Sequence, residues 1–181
     1  MFDTVLIAGL GLMGGSMAKT IKARTLSRVL GWNRTRATAD QALADGSIDA
    51  IATEALYKEA DLVIIGLYPQ ATVDWLLENM PKMKKGCVIV DMVGVKQFMV
   101  DHLEQAALDA GVHYVGGHPM AGREFSGLDY SLPTLFDGAS MIFVPTKSST
   151  ERVLEQLEAY FMSLGFGQTV RCTAQQHDHM I

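Results

Sequence analysis

Three glycines near the amino terminus constrain this chain more than any other feature. They lie in Gly9-Leu10-Gly11-Leu12-Met13-Gly14, directly after the short apolar run Thr4-Val5-Leu6-Ile7-Ala8. An unbroken apolar run that ends in glycines is the pattern of a strand buried on both faces of a parallel sheet. A helix is expected next, because Met17, Ala18 and Ile21 place one apolar stripe between Gly15 and Ala23. Strand, glycine loop and helix in this order are the setting in which G-x-G-x-x-G acts as a dinucleotide-binding fingerprint. Gly9 would permit the tight turn, Gly11 the approach of a pyrophosphate to the backbone, and Gly14 the close packing of helix on strand. Leu12 and Met13 complete the fingerprint as candidate cofactor contacts, and the N-terminus of the helix that follows offers unpaired N–H groups and a positive partial charge that suit an anion.

The same rhythm continues along the chain. Strands are predicted at Val29 to Trp32, near Ile51-Ala52, at Leu62 to Leu67, at Cys87 to Val90 and at Tyr114-Val115. Helices are predicted around Thr38 to Ala44, at Thr72 to Asn79 and at Phe98 to Ala110. A strand at Met141 to Pro145, an amphipathic helix at Glu151 to Leu164 and an extended piece at Gln168 to Arg171 follow. Strands alternating with helices of about this length specify right-handed crossovers, hence a Rossmann-like, doubly wound, mostly parallel α/β sheet with helices on both faces. Residues 1–172 are read as one NAD(P)-binding domain, and residues 173–181 as the start of a further helix capped by Thr173.

Composition narrows the function classes. A chain of 181 residues, 49% of them hydrophobic, can bury a core without disulfides or metal. A formal charge of -5 gives no general attraction to nucleic acid or an anionic membrane. Cys87 and Cys172 have no CxxC spacing, which fits a reducing, cytoplasmic setting and supplies no metal-ligand set. The start lacks a basic n-region, and no uncharged stretch is long enough to span a bilayer.

Two regions carry candidate chemistry. An NAD site usually has Asp or Glu at the end of strand two, where it bonds the ribose 2′-hydroxyl. This chain has Asn33 there, followed by Arg34, Thr35 and Arg36. A neutral group with two cations favours NADP over NAD, the alternative being that both arginines are solvated residues opening a helix. Farther along, Gly116-Gly117-His118-Pro119-Met120-Ala121-Gly122 lies just beyond the strand Tyr114-Val115. Its histidine is expected on a constrained loop at the carboxyl edge of the sheet, where a titratable group can serve proton transfer. His177 and His179, two apart, point to different sides of a helix and are not read as metal ligands. His102 and His113 are read as surface residues.

The run GGHPMAGREFSG from Gly116 to Gly127, the GLGLMGGS start, Val88-Ile89-Val90-Asp91 leading to Lys96, Leu135-Phe136-Asp137-Gly138 and His177-Asp178 resemble prephenate dehydrogenases, the TyrA family of tyrosine biosynthesis. The resemblance implies oxidative decarboxylation of prephenate or arogenate with hydride transfer to NAD(P). His118 matches the catalytic histidine, which holds the ring hydroxyl and takes its proton. Glu124 and Ser126 match polar positions near the substrate-pocket entrance, although both equally suit loop residues capping the next segment. Gly94 and Lys96 match a pocket segment in which the family often reads Asp-x-Gly-Ser-x-Lys. Here Gly94 replaces the serine, so either the histidine alone orients substrate or a water fills the gap. Family members continue into a helical domain that forms a homodimer and supplies further substrate contacts, so the chain is expected to be the cofactor half of such an enzyme. Two other readings stay open: a dinucleotide-binding module without activity of its own, and a small reductase of the β-hydroxyacid dehydrogenase type.

Overall fold

The computed structural model describes residues 1–181. Its first strand, β1 (Thr4–Ala8), turns Val5 and Ile7 into one hydrophobic layer and Leu6 and Ala8 into another, all four fully buried. That two-sided burial is why the strand reads as a continuous apolar run. The elements that follow are α1 (Leu12–Arg24), β2 (Arg28–Trp32), α2 (Arg36–Ala44), β3 (Ala50–Ile51), α3 (Glu54–Tyr57), β4 (Leu62–Ile65) and α4 (Pro69–Asn79). Then come β5 (Val88–Asp91), α5 (Gln97–Ala110), β6 (His113–Pro119), β7 (Ser140–Val144), α6 (Glu151–Ser163), β8 (Gln168–Arg171) and α7 (Ala174–Met180).

The strands form one sheet in the order β3-β2-β1-β4-β5-β6-β7-β8. All neighbours run parallel except β6 and β7. The chain reverses its direction of travel between β1 and β4, which is the switch point where ligands of doubly wound sheets collect. One layer of core joins α1, α2 and α6 to the sheet through Met17, Ile21, Ala39, Leu157 and Phe161. The opposite layer joins α3, α4 and α5 through Tyr57, Leu76, Met99 and Leu103. Helices on both faces thus meet the expected fold class.

Three boundaries differ from the sequence reading for physical reasons. Helix α1 begins at Leu12 rather than Gly15, so Gly14 and Gly15 lie inside it. Helix α4 begins at Pro69, a first-turn position that needs no N–H donor. The third is the largest. The Gly116–Pro119 run, expected as a loop, is the second half of β6 and pairs antiparallel with Met141–Val144 of β7.

Leu157 lies fully buried on α6, whereas Leu108 on α5 is 43% exposed. Leu157→Ala is expected to cost about 2–5 kcal/mol in urea unfolding, and Leu108→Ala to stay within about 0.5 kcal/mol.

Candidate functional site

The glycine loop leaves β1 at the carboxyl edge of the sheet. Gly9 has φ +95°, a conformation that L side chains rarely adopt. A methyl group at Gly14 would overlap the Gly9 carbonyl oxygen, and this contact is what allows α1 to start so close to the strand. A methyl at Gly11 would meet no atom within 4 Å. The backbone there faces open space, with no side-chain cap on the helix. The N–H groups of Leu12, Met13 and Gly14 therefore have no acceptor in the chain. An open backbone with unpaired donors at a helix start fits a pyrophosphate.

Asn33 stands at the end of β2 with both ends of its carboxamide engaged. Its Oδ1 accepts from Leu10 N at 2.8 Å, and its Nδ2 donates to Thr35 O at 3.1 Å. It thus pins the glycine loop to β2. Arg34, Thr35 and Arg36 are exposed beside it. Arg36 pairs with Asp40 one helical turn on, a solvent-screened contact, while Arg34 makes no ion pair. The structure brings Gly9, Gly11, Leu12, Met13, Gly14 and Asn33 together just beyond the ends of the neighbouring strands β1 and β2.

A second cluster forms at the end of β5. Asp91 is fully buried and accepts from Lys96 Nζ at 2.5 Å, Tyr114 Oη at 2.5 Å and Gly117 N at 3.2 Å. Burial, with Asp91 alongside, pushes the Tyr114 phenol well above its ordinary value, so it remains a donor. Lys96 was expected at a substrate pocket. Its ammonium is instead wholly enclosed, donating to Asp91 and to Val93 O. The Lys96 stem passes so close to Gly116, and Asp91 so close to Gly117, that a methyl group at either glycine would collide. Close approach explains these two glycines.

His118 follows on the same strand. Its Nδ1 lies 2.8 Å from His177 Nε2, and His177 Nδ1 lies 2.8 Å from Asp178 Oδ1. Asp178 also accepts from Lys96 N and Gln97 N at the start of α5. The other His118 nitrogen, Nε2, has no partner in the chain. No buried side-chain nitrogen or oxygen lacks a partner, so Nε2 is open to solvent. It lies 3.8 Å from where a Gly94 Cβ would be, which puts Gly94 beside the ring. Burial, then His177 and Lys96, push the His118 imidazole below its usual 6.5, with Asp91 opposing. An accessible, unprotonated ring nitrogen at neutral pH is suited to accept a proton.

Other expected residues fall outside this cluster. Glu124 and Ser126 are exposed on the loop after β6 and make no side-chain hydrogen bond. On the same loop Arg123 donates to Tyr130 O and lies over the Phe125 ring. His102 is exposed and His113 half-buried. The sequence reading divided the chain after Cys172 and gave His177 no role at the site, yet His177 is fully buried behind His118. The available signal was the capping box of Thr173 and Gln176, which fixes the phase of α7.

Comparison with known proteins adds the family. The model for "Prephenate dehydrogenase, nucleotide-binding domain" matches residues 17–168. The prephenate dehydrogenase of Bacillus subtilis is 34% identical over 98% of this chain and 48% of its own length. Among solved structures, Synechocystis arogenate dehydrogenase superimposes with a TM-score of 0.88 at 25% identity, covering 98% of this chain and 62% of that one. The Aquifex aeolicus prephenate dehydrogenase in complex with hydroxyphenyl propionate and NAD+ gives a TM-score of 0.90 at 26% identity, covering 99% and 63%. The chain spans about half the length of the curated Bacillus relative. No helix is long and apolar enough to cross a membrane.

Gly11 and Gly14 separate binding from folding. Gly11→Ala is expected to keep stability within about 1 kcal/mol while weakening dinucleotide binding in a fluorescence titration. Gly14→Ala is expected to lower the unfolding midpoint as well, because the Gly9 carbonyl must move.

Proposed function

Because this chain belongs to the family of prephenate dehydrogenase nucleotide-binding domains, we propose that it forms the cofactor half of an enzyme that oxidatively decarboxylates prephenate or arogenate. The observation that carries this reading is the solvent-facing Nε2 of His118, held at the same sheet edge as the open glycine loop. Three strand spacings, roughly 14 Å, separate β1 from β6.

A bound nicotinamide supplies the hydride acceptor. The chain's own residues arrange the rest. The Leu12, Met13 and Gly14 N–H groups hold the pyrophosphate, and Gly11 lets it approach. His118 Nε2 accepts a hydrogen bond from the substrate's ring hydroxyl, then takes that proton as the carbonyl forms and carbon dioxide leaves. Gly94 borders the ring and leaves room for the substrate or a water. Lys96 acts from within the protein by holding Asp91 and the β5–α5 loop. Glu124 and Ser126, exposed on the loop after β6, are the polar groups that would border the entrance for the substrate. NADP is preferred over NAD: no carboxylate at the end of β2 opposes a 2′-phosphate, and the Arg34 guanidinium is unpaired and exposed beside it.

His118→Asn is expected to leave dinucleotide affinity unchanged and to reduce turnover by about 10²–10⁴. The assay is initial-rate nucleotide reduction with prephenate and with arogenate offered separately, and retained turnover would remove His118 from the mechanism. Because its pKa is lowered, His118 stays unprotonated at neutral pH. Activity should therefore rise with pH along a limb whose midpoint lies below pH 6.5. Replacing Arg34 and Arg36 together by Gln is expected to weaken NADP binding about tenfold, for the lost charge-assisted contacts to a phosphate. NAD binding should be unaffected, and equal effects on both nucleotides would show that these residues do not read the 2′-phosphate.

A further inference from the structure

His177 sits behind the proposed base, and Asp178, itself exposed, sits on the far side of His177. His177 is fully buried, with both ring nitrogens engaged. It therefore meets neither substrate nor solvent, and whatever it does for the site it does through His118. We propose that His177, oriented by Asp178, is a positioning residue that fixes the His118 tautomer with the hydrogen on Nδ1 and the lone pair on Nε2.

The assignment follows from donors and acceptors taken in order. An ionised carboxylate only accepts. Burial opposes ionisation of Asp178, but hydrogen bonds from His177 and from the N–H groups of Gln97 and Lys96 hold its carboxyl below the usual 3.8. Across the 2.8 Å contact, His177 Nδ1 must then carry the hydrogen. A neutral imidazole with its hydrogen on Nδ1 has its lone pair on Nε2. That lone pair lies 2.8 Å from His118 Nδ1, so His118 Nδ1 must donate. The second lone pair of the line is left on His118 Nε2, the nitrogen beside Gly94 that is free to meet a hydroxyl group. With both rings neutral, as in the pH 8 test below, the other tautomer would set two lone pairs against each other across the 2.8 Å contact. It would also present an N–H where the reaction needs an acceptor.

The geometry holds this line from two sides. The Thr173–Gln176 capping box sets where α7 starts, and so where His177 points. Asp178 spends both carboxylate oxygens on the first N–H groups at α5, at 2.8 Å from Lys96 N and 2.9 Å from Gln97 N. The base is thus aligned by a short helix that packs on α5. The same α5 start follows directly on the loop carrying Gly94 and Lys96.

The inference rests on the reading of His118 as the base, but its test does not need turnover. Long-range ¹H–¹⁵N correlation spectra of the ¹⁵N-labelled chain at pH 8 distinguish protonated from lone-pair ring nitrogens. The expected spectrum shows His118 with Nδ1–H and a lone pair on Nε2, and His177 in the same tautomer. An Nε2–H form of His118 in the unaltered chain would overturn the proposal. In Asp178→Ala, which removes the acceptor for His177 Nδ1, with folding checked by the backbone amide spectrum, His118 is expected to become a mixture of both tautomers. An unchanged, pure Nδ1–H signal would remove Asp178 and His177 from the assignment. If the tautomer is as stated and His118→Asn keeps full turnover, the functional reading fails alone. If the tautomer is reversed and His118→Asn abolishes turnover, only the present inference fails.

Discussion

A carboxylate with no solvent contact ends β5, and the arrangement around it decides where the rest of the site can be. A buried charge costs several kcal/mol unless every lone pair is met. Asp91 is met by Lys96 and the Val93 N–H from its own loop, and by the Tyr114 hydroxyl and the Gly117 N–H on β6. Those two β6 contacts lie on either side of the point where the strand changes partner. His113–Val115 pair with β5, and Gly116–Pro119 pair with β7 in the opposite sense. A strand that leaves its neighbour uncovers backbone groups, and each such group is expensive to bury unpaired. Asp91 takes the Gly117 N–H that the departure exposes. Removing either partner of the Asp91–Lys96 pair would cost about 3–5 kcal/mol by the usual measure of broken buried pairs. The loss would be felt at His118, the residue after Gly117.

At the other side of the switch point, Asn33 occupies a position that usually carries an acid. Its carbonyl oxygen holds Leu10 N, so one residue both ties the glycine loop to β2 and keeps that strand end uncharged. A carboxylate could also accept from Leu10 N, but it could not donate to Thr35 O as the Asn33 amide does. The choice of amide over acid is thus consistent with local hydrogen bonding as well as with the charge of the nucleotide. This explains why Asn33 is only half exposed while Arg34 and Arg36 project freely.

What could be read from sequence divides along physical lines. The strands β1 and β4 are apolar throughout because both faces are covered, and helices α5 and α6 carry one-sided stripes. Such patterns record burial directly, so the doubly wound class was legible. The Gly116–Pro119 strand was not, because two glycines and a proline read as punctuation. Their actual cause is tertiary: the Lys96 stem and the Asp91 backbone leave no room for side chains at 116 and 117. Lys96 is a related case. The resemblance set it in a pocket segment, and only the fold shows its ammonium turned inward onto Asp91. The contact of His177 with His118 lay beyond sequence reasoning because the two are 59 residues apart and on different elements. The cap at Thr173 was visible, yet nothing local says that α7 packs on α5.

Gly94 sharpens the importance of that packing. A residue with a hydroxyl at this position would place an oxygen within reach of the open side of the His118 ring, because the Cβ direction points to Nε2 and Cε1. This chain has only hydrogen there. The imidazole is therefore held by side chains from one side, through Nδ1, and is free on the side where a substrate hydroxyl would arrive. An acceptor constrained on one nitrogen only must take its ring angle and its tautomer from that contact. The weight falls on a line of hydrogen bonds that begins at the α5 amides, passes through Asp178 and His177, and ends at the lone pair of Nε2.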